Sequence, residues 1–202
     1  MLEVEYAQAA ETGVLYEPAH RARLSRSSKR GWMFALGTEA NGTVWGGAGL
    51  DRMKQRFSSA PEPASLGVFL SQLIANAHRR YQLSALVACS LRFDRVVIAR
   101  AGPAYCYVLR NNFATLLTFD RVEVTDYQLR AGDVLLMCTE RHHGSMKGSE
   151  LAEIAGRSTD LSQAASQLAL RAHGPLLMIR VRAVQGKPPA SQSGISAASA
   201  AL

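Results

Sequence analysis

The chain lacks most of the features that would assign it at a glance. None of its 202 residues belong to an apolar run approaching the roughly 18 residues that a membrane-spanning helix requires, so no membrane span is expected. The stretch 1–13 carries three acids and no basic cluster, and does not read as a secretory leader. Cysteine is scarce. Cys89, Cys106 and Cys138 sit in apolar runs (LVACS, AYCYVL, LLMCT) at spacings that match no zinc or redox motif. They read as buried thiols of a reducing compartment, and a cytoplasmic location is expected. No phosphate-loop or dinucleotide glycine fingerprint is present. Ser84 and Ser90 have no histidine and aspartate partners in a nucleophile-elbow setting, which argues against serine-hydrolase chemistry. The histidines lack the i, i+4 spacing of a helical zinc site, and His78 and His173, each on an expected helix, carry no assigned role.

What is present is an ordinary globular composition, 48% apolar and 19% charged, with a net charge of +7. The basic residues are dispersed. The densest stretch, His20–Arg30, holds Arg21, Arg23, Arg26, Lys29 and Arg30. It has no interleaved aromatics and no nucleic-acid motif, so it reads either as a solvated loop or as an electrostatic docking loop, and no nucleic-acid partner is expected. Trp45, beside Gly46 and Gly47, reads as core packing or as an exposed anchor for a partner.

One domain over residues 1–184 is expected, followed by a small, polar, disordered tail over 185–202 (QGKPPASQSGISAASAAL). Strands are expected at Leu2–Ala7 and Trp32–Gly37. Trp45–Ser59 has a weak helical pattern, and Pro63–Tyr81 a clear one, with Leu66, Phe69, Leu70, Leu73, Ile74 and Ala77 on one face. Strands then follow at Ala85–Phe93, Arg95–Ala101, Ala104–Arg110 and Ala114–Phe119, with Asp94 and the pair Asn111-Asn112 supplying turns. A buried strand at Asp133–Thr139, helices at Ser149–Ala155 and Asp160–Ala172, and a last strand at Pro175–Val184 complete the pattern. Runs of strands separated by helix pairs indicate an α+β layered domain with antiparallel sheets, and argue against a doubly wound fold.

Four segments, namely Val96–Arg110, Leu129–Thr139, Phe34–Gly42 and, as the fourth, the two ends at Thr12–His20 and His173–Val184, resemble in series the metal-dependent protein phosphatase family (type 2C, or PPM-type, Ser/Thr phosphatases). Val96–Arg110, VVIARAGPAYCYVLR, resembles the strand pair around V-G-D-S-R-A-Y-L-L-R, with Gly102, Tyr107, Leu109 and Arg110 matching and Pro103 at the aspartate position. Leu129–Thr139, LRAGDVLLMCT, resembles L-x-x-G-D-x-L-L-L-C-S-D-G, with Glu140 at the metal-binding aspartate. Phe34–Gly42, FALGTEANG, resembles F-A-V-A-D-G-M-G-G, with Thr38 at the metal-bridging aspartate and Glu39 at the following glycine. Near the N-terminus, TGVLYEPAH resembles T-G-x-R-x-x-N-E-D, with Leu15 at the phosphate-binding arginine and His20 at a metal-binding aspartate. Near the C-terminus, Gly174 and Pro175 stand where the family has Asp-Asn. The resemblance implies a four-layer αββα sandwich, two antiparallel sheets flanked by helix pairs.

The departures fall on the chemistry. A two-cation site needs several carboxylates, because hard cations take oxygen ligands and their charge must be balanced. Of the quoted ligand positions only Glu140 keeps one. A threonine hydroxyl does not bridge two cations, glycine offers only backbone, and Leu15 removes a bidentate phosphate clamp. The resemblance therefore implies a degenerate member: a pseudophosphatase without catalytic residues or cofactor that binds a protein partner, such as a Ser/Thr kinase or phosphoprotein. The alternative is an active phosphatase with an altered site, binding Mn or Mg at low occupancy through Glu39, Glu140 and one of His20, His142 and His143. A small-ligand sensor using the same cleft ranks last, for want of a glycine cradle.

Overall fold

The computed structural model describes residues 2–10, 21–22, 31–61, 63–118, 124–140 and 143–184. The expected tail and most of the basic stretch lie outside them. In chain order the elements are β1 (Leu2–Ala9), β2 (Arg21–Ala22), β3 (Trp32–Thr38), α1 (Gly47–Ser59), α2 (Leu66–Arg80), β4 (Ala85–Arg92), β5 (Arg95–Ala101), β6 (Ala104–Arg110), β7 (Phe113–Leu116), β8 (Val124–Gln128), β9 (Val134–Thr139), α3 (Gly148–Arg157), α4 (Leu161–Ala172) and β10 (Leu176–Val184). They form two five-stranded sheets, ordered β1-β10-β9-β6-β7 and β2-β3-β4-β5-β8. All pairings within them are antiparallel.

The layering follows from how single strands divide their side chains. In β4, Ala85, Val87, Cys89 and Leu91 enter the layer between the sheets, while Leu86 and Ala88 face α1 and α2. In β9, Leu135 and Met137 face inward, and Val134, Leu136 and Cys138 meet α3 and α4. Successive side chains of a strand point to opposite faces, so a strand covered on both sides must be apolar at every position. That is why ALVACSL and VLLMCT read as unbroken apolar runs. Three apolar layers result, and the architecture is the αββα sandwich that the sequence implies.

The turns obey local chemistry. Asn111 and Asn112 both take positive φ (50° and 63°) in the two-residue loop joining β6 to β7, a conformation asparagine tolerates well. Ser65 caps α2 by accepting from the Val68 N–H, and Asp160 caps α4 by accepting from the Ser162 N–H.

Two strands lack a counterpart in the sequence reading. β2 has two residues, and β8 reads VTDYQ, too polar for a strand signal. Both stand last in the order of their sheet as described, and residues 125–128 of β8 are only partly buried or exposed, so no apolar run is demanded there.

Candidate functional site

The Gly102-Pro103 turn brings β6 out of β5 at one end of the sandwich. Gly102 has φ +71°, and a Cβ there would lie 2.4 Å from the Ser84 carbonyl oxygen, so only glycine lets the turn pass this close to the start of β4. Beside it, β3 ends at Thr38 and runs into the tight loop 39–43. That loop is closed by the Glu39 N–H donating to the Thr43 carbonyl and the Gly42 N–H to the Glu39 carbonyl, both at 2.9 Å. β9 delivers Thr139 and Glu140 from the opposite sheet, and the turn before β10 delivers Pro175. Together these residues line an open cleft of about 230 Å³, whose wall includes Thr38, Glu39, Asn41, Ser84, Pro103 and Glu140.

Four of the expected positions, Thr38, Glu39, Pro103 and Glu140, thus meet in one cleft. Gly174 directly precedes Pro175, which also lines it. Leu15 and His20 lie outside the described residues, as does His142. His143 goes elsewhere. Its Nδ1 is 2.6 Å from the Tyr107 hydroxyl and its ring stacks on Tyr105 at 3.8 Å, against tyrosines that pack toward α3 and α4. It is not among the described residues that line the cleft; ring stacking and the phenol bond engage it instead.

Trp45 is corrected as a docking residue. It is only 4% exposed, its ring contacts Tyr81, and Gly37 and Gly49 lie close against it, where a Cβ on either would sit about 3 Å from the indole and crowd it. The indole is packed inside instead of presented. For the basic stretch, Arg23, Arg26, Lys29 and Arg30 lie outside the described residues, and Arg21 contributes backbone pairing to Phe34.

Ser84 is the cleft residue whose role the sequence did not disclose. Its Oγ lies 2.8 Å from Thr38 Oγ1, 3.0 Å from the Thr38 carbonyl oxygen and 2.9 Å from that of Glu39. The Ser84 N–H also donates to the Thr38 carbonyl. Thr38 is 5% exposed, and its hydroxyl is engaged by this serine. The position that would bridge cations in a two-metal site is a fastener between β3 and β4.

The described residues of the cleft do not fit a pair of divalent cations. Only Glu39 and Glu140 among the described lining residues are carboxylates, and no three His, Cys, Asp or Glu side chains among the described residues converge to hold a metal ion. Hard cations need more oxygen ligands and more negative charge than this.

The charged residues that do match the resemblance serve another purpose. The Arg110 guanidinium donates through Nε and Nη2 to the two Asp133 carboxylate oxygens, each at 2.6 Å. Asp133 also accepts from the Arg130 N–H at 2.7 Å. The Arg110 guanidinium lies 5.5 Å from the centre of the Tyr127 ring, so the pair ties β6 to the turn before β9 and reaches over to β8 in the other sheet. Opposite charge and paired hydrogen bonds at this geometry hold a fold; they take no part in the cleft.

No protein-family model matches the chain, and no curated protein matches it in sequence. Solved structures do. The chain is similar to PppA, described as a key regulatory component of T6SS in Pseudomonas aeruginosa, at 16% identity and a TM-score of 0.56, covering 88% of this chain and 97% of that one. It is similar to the catalytic domain of the serine threonine protein phosphatase PstP in complex with 2 manganese ions, at 17% identity and a TM-score of 0.58, covering 91% and 100%. A bacterial serine phosphatase gives a TM-score of 0.63 at 13% identity, covering 93% and 100%. The fold is that of the PPM-type Ser/Thr phosphatases, over most of the chain.

Proposed function

We propose that this chain is a phosphatase-fold protein that works by binding a protein partner, with the cleft no longer a centre of two-metal hydrolysis. The observation that supports this most directly is the state of the cleft's central position. Thr38 carries no carboxylate, its hydroxyl is bonded to Ser84, and it is nearly buried. Phosphomonoester hydrolysis is among the slowest uncatalysed reactions, and two carboxylates without a cation pair supply little of the barrier reduction it needs. The regulatory role of PppA agrees with a partner-binding reading. A Ser/Thr kinase or a phosphoprotein is the partner class that the fold suggests.

One observation favours a second reading: Glu39 and Glu140 line the same cleft. Two carboxylates with one further ligand make a single-cation site of the manganese or magnesium kind. One experiment separates the two. Calorimetric titration with manganese and with magnesium, alongside hydrolysis of an aryl phosphate, should show neither saturable binding nor turnover. Micromolar binding with metal-dependent turnover, abolished by Glu140→Gln, would replace the partner-binding reading with the enzymatic one.

A further inference from the structure

A second concave surface lies on the outer side of the molecule, between α1 and α2. It is a groove of about 380 Å³ whose rim carries Arg52, Arg56 and Arg80, with Gln55 and Asn76 adding amide groups. No acidic side chain among the described residues lines it. Its floor is apolar, from Met53, Leu73 and Ala77, all buried. The nearest acid in sequence, Asp51, is engaged by Lys54 at 3.6 Å. Arg80 rests over the Tyr81 ring, and no ion pair joins any of the three arginines to a described acid.

Three like charges on one groove oppose folding slightly. Arg52 and Arg56 stand at i, i+4 on one helix, an arrangement that costs a few tenths of a kcal/mol. Helix-dipole compensation accounts for Arg56 and Arg80, each in a last turn, but not for Arg52 in mid-helix. All three are arginine, whose planar fork pairs with carboxylates in two-point fashion. The ring at the groove, Tyr81, is already packed on Trp45, so no free aromatic face is offered to a nucleobase.

Spacing narrows the occupant. Arg52 and Arg56 are separated by a rise of about 6 Å along α1. Same-face side chains of an extended peptide recur every ~6.6 Å. We propose that the α1–α2 groove binds an extended acidic segment of a partner protein, with alternate carboxylates seated on Arg52 and Arg56 and the chain passing Arg80. This site is separate from the cleft and does not depend on how the cleft is read.

The test uses the full chain and a fluorescein-labelled peptide alternating glutamate and alanine, followed by anisotropy at about 0.05 and 0.3 M salt. Saturable binding that weakens with salt is expected. Arg52→Glu/Arg56→Glu/Arg80→Glu should weaken it at least about tenfold, while Arg130→Glu/Arg157→Glu/Arg171→Glu, an equal charge change elsewhere, should leave it within about twofold. Thermal melts confirm folding of both, and Arg52→Gln/Arg56→Gln/Arg80→Gln replaces the reversal if it melts early. Equal weakening by the two triple variants would reduce the effect to net charge and overturn the proposal. So would absence of wild-type binding, or a single-stranded oligonucleotide that binds more tightly than the peptide and loses affinity in the groove variant.

Discussion

Replacing one partner of the Arg110–Asp133 pair separates a structural role for these residues from a chemical one, because the two replacements should differ. The Asp133 side chain is 1% exposed and accepts three N–H bonds, two from Arg110 and one from the Arg130 backbone. Arg110→Met leaves that carboxylate buried with a single donor. Breaking a buried pair in this way costs about 3–5 kcal/mol, and the lower end applies because the Arg110 side chain is 24% exposed and water can enter where it lay. Asp133→Asn keeps one acceptor and strands a guanidinium that can reach solvent, so about 1–2 kcal/mol is expected. In a domain of this size 1 kcal/mol moves the melting temperature by roughly 2–4 °C, which puts Arg110→Met at about 6–12 °C below the parent. Urea unfolding followed by circular dichroism, with unchanged slopes, gives both values. The reasoning fails if the order is reversed, or if Arg110→Met costs less than about 1 kcal/mol, within reach of ordinary surface substitutions.

Gly102→Ala should destabilise by at least about 1 kcal/mol more than Gly132→Ala: both take positive φ, but a Cβ at 102 strikes the Ser84 carbonyl and one at 132 meets nothing within 4 Å. Ser84→Ala removes the shared hydroxyl and should cost about 1 kcal/mol, with faster amide exchange confined to residues 38–43; unchanged exchange there would show that the backbone bonds suffice. The Cys89, Cys106 and Cys138 thiols are fully buried, and burial pushes all three well above the ordinary thiol range, so an aromatic disulfide reagent should label none until denaturant is added. Burial first, then the neighbouring Cys138 and Tyr105, pushes the Tyr107 phenol up to about 12. Its native form keeps a proton that the unfolded chain sheds near pH 10, so its contribution is intact below about pH 10 and drains away towards pH 12; Tyr107→Phe should flatten that part of the stability profile.

The sandwich was legible because its layers impose apolar runs with little freedom. ALVACSL and VLLMCT can be satisfied only by strands covered on both faces, and Pro63–Tyr81 only by an amphipathic helix. The matching positions Gly102, Arg110 and Asp133 were visible for the same reason: each answers a geometric demand, a positive φ or a buried charge pair. β8 stayed hidden because an edge strand needs no apolar pattern, and its stabilising contacts, such as Arg95 on Asp126, come from a distant part of the chain. Ser84 was invisible as a cleft residue because its partner Thr38 is 46 positions away. Trp45 stays open in sequence between core packing and an exposed anchor because Gly46 and Gly47 beside it look like loop residues, whereas the glycines that lie against its indole, Gly37 and Gly49, are brought there by the fold.

The hydroxyl fastening of Thr38 by Ser84 bears on how the protein reaches its final shape. A cleft walled by several carboxylates repels itself until cations arrive, so its loops settle only as fast, and as firmly, as the ion supply allows. Here neutral hydroxyl and carbonyl groups close the end of β3 onto the start of β4, and Glu39 and Glu140 are the only carboxylates among the described residues that line the cleft. On the partner-binding reading proposed above, such a protein would present the same surface whether manganese and magnesium are plentiful or exhausted, and its melting temperature should be the same in a chelator as in added manganese.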